Sequence, residues 1–104
     1  NLASYLKDIK EPKYAIWAMM KNKEPDLFIK QFKGLFEKII TIPIENEKNS
    51  MSAKDLKSIA QKNYFKVETE KNLDEAIKNI TYRDKKLIVC LGSLYNVGNI
   101  LNKN

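Results

Sequence analysis

Short apolar runs alternate along the chain with segments in which apolar residues recur at helical spacing. Each run is nearly continuously apolar at its centre and is bounded by polar residues, proline or glycine, which is typical of strands covered on both faces. The pattern predicts four strands, Tyr14–Met20, Lys38–Ile44, Phe65–Thr69 and Leu87–Leu91.

The segment after the first run carries the signals of a helix start. Pro25 fits a first helical turn, and Asp26 lies where the positive end of the helix dipole favours an acid. The apolar spacing predicts one helix face made of Phe28, Phe32, Leu35 and Phe36.

Two further helices have recognisable caps. Ser52 followed by Asp55 resembles a capping box, and Asn72 can cap a helix with Glu75 three residues on. The side chains predicted to face inward are Ala53, Leu56, Ile59 and Ala60 in the first helix, and Leu73, Ala76, Ile77 and Ile80 in the second. Apolar stripes also predict terminal helices, on Leu2, Tyr5, Leu6 and Ile9 at one end and on Leu94, Val97 and Leu101 at the other.

Regular alternation of helices and strands with short connections predicts an α/β fold with right-handed crossovers. We expect a three-layer αβα, Rossmann-like domain with a mostly parallel sheet, formed by residues 1–104 as a single domain. Four strands are few for such a sheet, and Asn1 lies inside an apparent helix. We therefore expect the chain to be a fragment of a larger protein that lacks its first strand.

Charge leaves two interpretations open. The net charge is +6, from 19 basic and 13 acidic residues, and such an excess could attract nucleic acid, acidic lipid or another polyanion. The lysines are interleaved with acids, however, as expected for a solvated surface. No apolar run is long enough to span a bilayer, and no secretory signal is recognisable, so we expect a cytoplasmic protein without nucleic-acid or membrane partners.

Residue usage limits the chemistry of the chain. Histidine is absent, which excludes a Ser-His or Cys-His pair within it. The single cysteine, Cys90, lies in the most apolar run and is expected to be a buried, inert thiol. No carboxylates have the spacing of an acid/base pair. We therefore predict no catalytic residue and no metal site within these 104 residues.

In an open parallel sheet, ligands bind beyond the carboxyl ends of the strands. This rule selects three loops, Lys21–Glu24, Glu45–Ser52 and Gly92–Tyr95. In the last loop, Gly92 permits close approach of the backbone to a ligand, and Ser93 adds a hydroxyl at a helix start. Ser93 could equally be a plain helix cap, and the loop after the first strand could equally be a solvated turn.

Several segments resemble a known family. Gly92-Ser93-Leu94-Tyr95-Asn96-Val97-Gly98 is similar to the G-S-L-Y-x-V-G block of folylpolyglutamate/dihydrofolate synthases, which are Mur ligase relatives. The run from Ile16 to Glu24 is similar to the family's V-F-G-A-M-x-D-K-D, with Ala18, Asn22 and Glu24 replacing its Gly and two Asp. Ile42-Pro43 and the Ala53–Leu56 helix start are similar to further pieces, in the same order.

The resemblance implies the C-terminal domain of an ATP-dependent ligase that adds L-glutamate to folate or dihydropteroate through an acyl phosphate. It implies glutamate contacts from Ser93, Gly92 and Tyr95, and contacts on the nucleotide side of the cleft from Lys23 and Asn22. ATP and Mg²⁺ would be bound mainly by an N-terminal ATPase domain outside this chain, and the protein is expected to be a monomer. The alternative is a small basic α/β module that binds nucleic acid or an acidic partner without catalysis.

Overall fold

The computed structural model of the protein describes residues 1–81 and 85–92. Four parallel strands form one sheet with helices packed against it, which confirms the α/β fold expected from the sequence. The strands are β1 (Lys13–Ala18), β2 (Lys38–Thr41), β3 (Val67–Thr69) and β4 (Leu87–Gly92). The helices are α1 (Leu2–Lys7), α2 (Pro25–Lys30), α3 (Ala53–Lys62) and α4 (Leu73–Ile80), with a short 3₁₀ turn at Lys21–Lys23.

The strand order is β3-β2-β1-β4, so β1 and β2 are central and β3 and β4 are the outer strands. All four predicted strands exist, but their ends differ. The first two end at Ala18 and Thr41, earlier than expected, and the third begins only at Val67. Apolar residues beyond these ends, such as Met19, Ile42 and Phe65, are also buried in the core, so apolar composition alone did not mark where the strands end.

Two helix starts agree with the predicted caps. The side chain of Ser52 accepts a hydrogen bond from the backbone N–H of Asp55 at 3.0 Å. The side chain of Asn72 accepts one from the N–H of Glu75 at 2.9 Å. Each cap satisfies one of the N–H groups that a helix start leaves without a partner in the helix.

The prediction of one continuous helix face after Pro25 is wrong. Helix α2 ends at Lys30, and Phe32 and Phe36 reach the core from the turns that follow. Gly34, at φ +78°, changes the direction of the chain in these turns. The buried residue of the helix itself is Ile29. In α1, similarly, Ala3 and Leu6 face inward while Leu2 and Tyr5 are exposed.

The sheet separates two apolar layers. Side chains of β1 alternate between them, with Ala15 and Trp17 in the first layer and Ile16 and Ala18 in the second. Helices α1, α2 and α3 pack in the first layer, and α4 packs in the second. This gives the three-layer arrangement expected from the sequence.

Strand β4 is not covered on both faces as predicted. Residues 87–90 are only half-buried, and Leu91 is the one buried residue of the strand. Cys90 is therefore not fully buried as expected, although partial burial raises the pKa of its thiol. The predicted terminal helix on Leu94, Val97 and Leu101 lies outside the described residues. Among those that are described, no helix is long and apolar enough to cross a membrane.

Candidate functional site

The carboxyl ends of β1, β2 and β4 lie at one edge of the sheet because the three strands are parallel. The 3₁₀ turn Lys21–Lys23 follows β1, and the irregular segment 45–51 follows β2. Gly92 ends β4 at the same level, paired with Ala18. The edge predicted to bind ligands is thus formed by these segments, which we call the carboxyl edge.

The turn after β1 presents charged side chains to solvent. Lys21, Asn22 and Lys23 are all exposed, as expected for a solvated turn. The turn is held by a hydrogen bond from the N–H of Lys23 to the carbonyl of Met20 at 3.2 Å. Glu24, in the left-handed conformation at φ 50°, then directs the chain into α2. The backbone therefore fixes the base of this turn, while its side chains remain available to a partner across the edge.

The loop after β2 is joined to the end of β1 by backbone pairing. The N–H of Lys21 donates to the carbonyl of Asn49 at 2.7 Å, and the N–H of Met51 donates to the carbonyl of Met19 at 2.9 Å. Between these bonds, Met20 and Ser50 form an antiparallel bridge. The two loops therefore behave as one unit, which brings Lys21 beside the loop that carries Lys48.

Two hydroxyl groups stabilise this unit, and neither was predicted from the sequence. Ser50 Oγ accepts from the N–H of Ile44 at 2.8 Å and donates to the carbonyl of Met51 at 3.0 Å. Thr41, fully buried at the end of β2, donates to the carbonyl of Ala53 at 2.8 Å. For Thr41, its position inside an apolar run was a signal in the sequence, because a buried hydroxyl group needs a hydrogen-bond partner.

Gly92 is required by local geometry. Its φ is +87°, and a Cβ atom placed there would clash with the carbonyl oxygen of Ala18 and lie 3.2 Å from Cδ1 of Trp17. Only glycine fits both the conformation and the space. The described neighbour that the Gly92 backbone approaches closely is β1, and the predicted approach to a ligand stays a prediction.

Trp17 lies beneath this contact. Its side chain is fully buried and stacks on Phe28, with ring centroids 6.3 Å apart and an interplanar angle of 19°. Within the part of the chain that the structure describes, its indole Nε1–H has no hydrogen-bond partner. Trp17 and Met19 belong to the core.

The exposed side chains of the carboxyl edge include several lysines but no group of metal ligands among the described residues. Lys21, Lys23 and Lys48 are exposed there, accompanied by Glu24 and by the acids of the 45–51 loop. Over residues 1–81 and 85–92, no three His, Cys, Asp or Glu side chains come together as a metal site would need. The described residues therefore do not fit Mg²⁺, and we derive no step through a metal in this chain.

The predicted contacts are brought together only in part. Gly92 and the turn carrying Asn22 and Lys23 lie at the same edge, at the ends of neighbouring strands. Ser93 and Tyr95 lie outside the described residues, so their roles stay predictions.

Comparison with solved structures identifies this arrangement. The chain superimposes on folylpolyglutamate synthase of Mycobacterium tuberculosis complexed with ADP with a TM-score of 0.79 and 13% identity, over 99% of this chain and 27% of that one. The fold is that of a folylpolyglutamate synthase domain.

Two other folylpolyglutamate synthase structures agree with this result. E. coli FolC in complex with ADP matches with a TM-score of 0.76 and 14% identity, over 98% of this chain and 25% of that one. The bifunctional folylpolyglutamate synthase/dihydrofolate synthase of Yersinia pestis, complexed with AMPPNP and an Mn ion, gives 0.73 and 17%, over 98% and 24%. The chain thus spans about a quarter of the length of these proteins. No family model and no curated protein matches it by sequence.

Proposed function

We propose that the chain is the C-terminal domain of an ATP-dependent ligase that adds L-glutamate to folate or dihydropteroate. One coincidence carries the proposal. The G-S-L-Y-x-V-G-like block begins at Gly92, at the carboxyl end of β4, and the chain independently has a folylpolyglutamate synthase fold. A sequence resemblance and a fold comparison thus lead to the same family by separate routes.

The reaction would proceed in two steps, with ATP and Mg²⁺ bound mainly by a separate ATPase domain. The substrate carboxylate attacks the γ-phosphorus of ATP, which forms an acyl phosphate and releases ADP. The glutamate amine, having lost a proton, then attacks the acyl carbon; the C–N bond forms and the C–O bond to phosphate breaks. Because an acyl phosphate is already reactive, this domain would contribute orientation of the amine and exclusion of water.

The residues of the carboxyl edge fit these contributions. We assign Ser93, Gly92 and Tyr95 to the carboxylate groups of the incoming glutamate, through a hydroxyl and backbone N–H groups beyond β4. We assign Lys23 and Asn22, which are exposed in the turn after β1, to contacts on the nucleotide side of the cleft. Their charge and polarity suit phosphate oxygens, and the backbone ties to the 45–51 loop keep their turn in place.

The test is the glutamate dependence of full-length enzyme carrying Ser93→Ala. Loss of one hydrogen bond to a charged group is worth roughly 1.5–3 kcal/mol, so KM for glutamate should rise about tenfold or more, with KM for ATP unchanged. Ser58→Ala is the matched control, because Ser58 is exposed on α3 and should leave both constants unaltered.

Wild-type glutamate dependence in the Ser93→Ala enzyme would remove the assignment of that residue. A full-length protein that consumes no ATP when supplied with glutamate and folate or dihydropteroate would remove the ligase proposal itself. The 104-residue chain alone should show neither ATPase nor ligase activity.

A further inference from the structure

Helix α3 ends in a turn that has tyrosine where glycine is usual. The N–H of Phe65 donates to the carbonyl of Ala60 at 3.1 Å, and the N–H of Tyr64 donates to the carbonyl of Gln61 at 3.0 Å. These two bonds define a Schellman motif, in which the residue after the helix cap adopts the left-handed conformation. That residue is Tyr64, at φ 67°.

A tyrosine at this position lowers the stability of the fold. Glycine is usual there because a Cβ atom is unfavourable in the left-handed region. Burial of the ring could offset the cost, but Tyr64 is 86% exposed, more than any other large apolar side chain among the described residues. Lys33 Nζ lies 5.4 Å from the centroid of the ring, and such a contact is weak at an exposed site. Backbone strain that the fold does not recover in this way indicates a function for the side chain.

The turn holds Tyr64 on a fixed backbone. Phe65 and Ala60, which form the ends of one of the two bonds, are both buried in the core. The buried side chain of Asn63 donates to Asp26 Oδ1 at 3.0 Å and to the carbonyl of Ile59 at 2.9 Å. The ring is therefore presented to solvent in a defined place, which reduces the entropy that a partner must remove when it binds.

The surroundings of Tyr64 are basic. Residues 30–37 and 61–66 include one acid, Glu37, and four exposed lysines, Lys30, Lys33, Lys62 and Lys66. Lys30 lies 2.8 Å from Asp26, and the charge of Lys62 also acts on Asp26, so these lysines lie near the base of the turn. Leu27, 59% exposed, is a neighbour of Lys30 on α2 because residues three apart share a helix face. We call Leu27, Lys30, Lys33, Lys62 and Tyr64 the Tyr64 surface.

The Tyr64 surface lies away from the carboxyl edge. Residues 31–37 lead into β2 and residues 63–66 lead into β3, so both segments lie at the amino ends of parallel strands. The glutamate and nucleotide contacts proposed above lie at the opposite ends. A partner can therefore bind here without entering the cleft, and the inference does not depend on the proposed ligase function.

We propose that the Tyr64 surface binds an acidic, partly apolar segment of a partner protein. Carboxylates of the segment pair with Lys33 and Lys62, and an apolar side chain packs on the Tyr64 ring. Tyrosine is one of the residues that most often dominate the binding energy of protein interfaces. The surface has one aromatic ring, whereas single-stranded nucleic acids stack successive bases on several, so a protein segment fits better.

Tyr64→Gly separates recognition from stability, because it relieves the backbone and removes the ring together. In urea titrations of the full-length protein, the unfolding midpoint should rise by roughly 0.5 M. Binding of a fluorescein-labelled peptide of Glu and Leu residues, followed by anisotropy at low salt, should weaken at least about tenfold. Tyr64→Phe, which keeps the ring, should bind the peptide as the wild type does. Tyr5→Ala is the matched control, because it removes an exposed tyrosine from α1 and should leave peptide binding unchanged.

A Tyr64→Gly protein that is less stable than the wild type would overturn the proposal, because the ring would then serve the fold. Peptide binding that is absent in the wild type, or unchanged in Tyr64→Gly, would overturn it as well. Tighter, Tyr64-dependent binding of single-stranded oligothymidylate would assign the surface to nucleic acid instead. A mass that rises with concentration in the wild type but not in Tyr64→Gly would assign it to a second copy of the chain.

Discussion

The two outer strands of the sheet are built in opposite ways. Strand β3 has three residues with a glutamate at its centre, and charged Lys66 and Glu70 flank it. Strand β4 has six residues and no charge. One outer strand therefore discourages further pairing and the other invites it, although both come from apolar runs of similar length in the sequence.

Strand β3 is also stabilised by a cluster of polar side chains. Lys38 Nζ donates to Asn79 Oδ1 at 2.8 Å and lies 3.4 Å from Glu68 Oε2. The amide of Asn79 donates to Glu68 and Glu70, at 2.9 Å each. We call these four residues the β3 cluster. The cluster ties α4 to β2 and β3, whereas no comparable group is found on the described part of β4.

The difference shows that the two outer strands are stabilised in different ways. At β3, the side-chain hydrogen bonds of the β3 cluster stabilise the outer strand. At β4, what stabilises the strand is its ladder to β1 and the fit of Gly92 against Ala18. Substitutions should accordingly affect the two sides through different physical terms.

The largest effect is expected at the end of β4. Gly92→Ala combines an unfavourable left-handed backbone with a clash against Ala18, and should lower the free energy of unfolding by about 3 kcal/mol or more. Gly34→Ala is the matched control, because Gly34 also has positive φ but has no atom within 4 Å of the added methyl. It should lose only about 1 kcal/mol. Urea denaturation measures both, and equal losses would show that the contact with Ala18 is unimportant.

A smaller effect is expected in the β3 cluster. Asn79→Ala removes the 2.8 Å partner of Lys38, whose side chain is only 11% exposed, and two donors to carboxylates. The free energy of unfolding should fall by roughly 2 kcal/mol. Lys78→Ala, which removes an exposed i,i+3 pair with Glu75 on the same helix, should change it by less than about 0.5 kcal/mol. A comparable loss in both variants would indicate that α4 is weakened generally.

The smallest effect is a dependence on pH. The hydrogen bond from Asn79, aided by Lys38, holds the pKa of Glu68 below its ordinary value of 4.5. A lowered folded-state pKa stabilises the protein at neutral pH, and this contribution is lost as pH falls from about 4.5 through the folded-state value. Glu68→Gln should therefore reduce the stability difference between pH 7 and pH 3 in urea titrations. Glu45→Gln, in the exposed loop after β2, should leave that difference unchanged.

Local features of the fold were predictable from the sequence. The caps at Ser52 and Asn72 act within three residues, so their patterns were sufficient. The order of helices and strands followed from periodicity. The end of α2 at Lys30 was not predictable in this way, because Phe32 and Phe36 keep helical spacing after the helix has stopped.

Features that depend on contacts between distant parts of the chain could not be predicted from the sequence patterns. The run at Leu87–Leu91 is as apolar as the one that forms β1, yet β1 is central and β4 is outer, so their burial differs. Strand position depends on the whole topology. At the carboxyl edge, the loops were predicted from strand ends, whereas the bridge between Met20 and Ser50 depends on residues thirty positions apart.

The contact between Trp17 and Gly92 has an experimental consequence. Trp17 is the only tryptophan in the sequence, and its indole lies against the residue that ends β4. Its emission spectrum therefore arises from one site, fully buried against Phe28 and beside the end of β4. The protein carries an intrinsic fluorophore whose colour and quenching report, without any label, whether the packing of β1 against the end of β4 is intact.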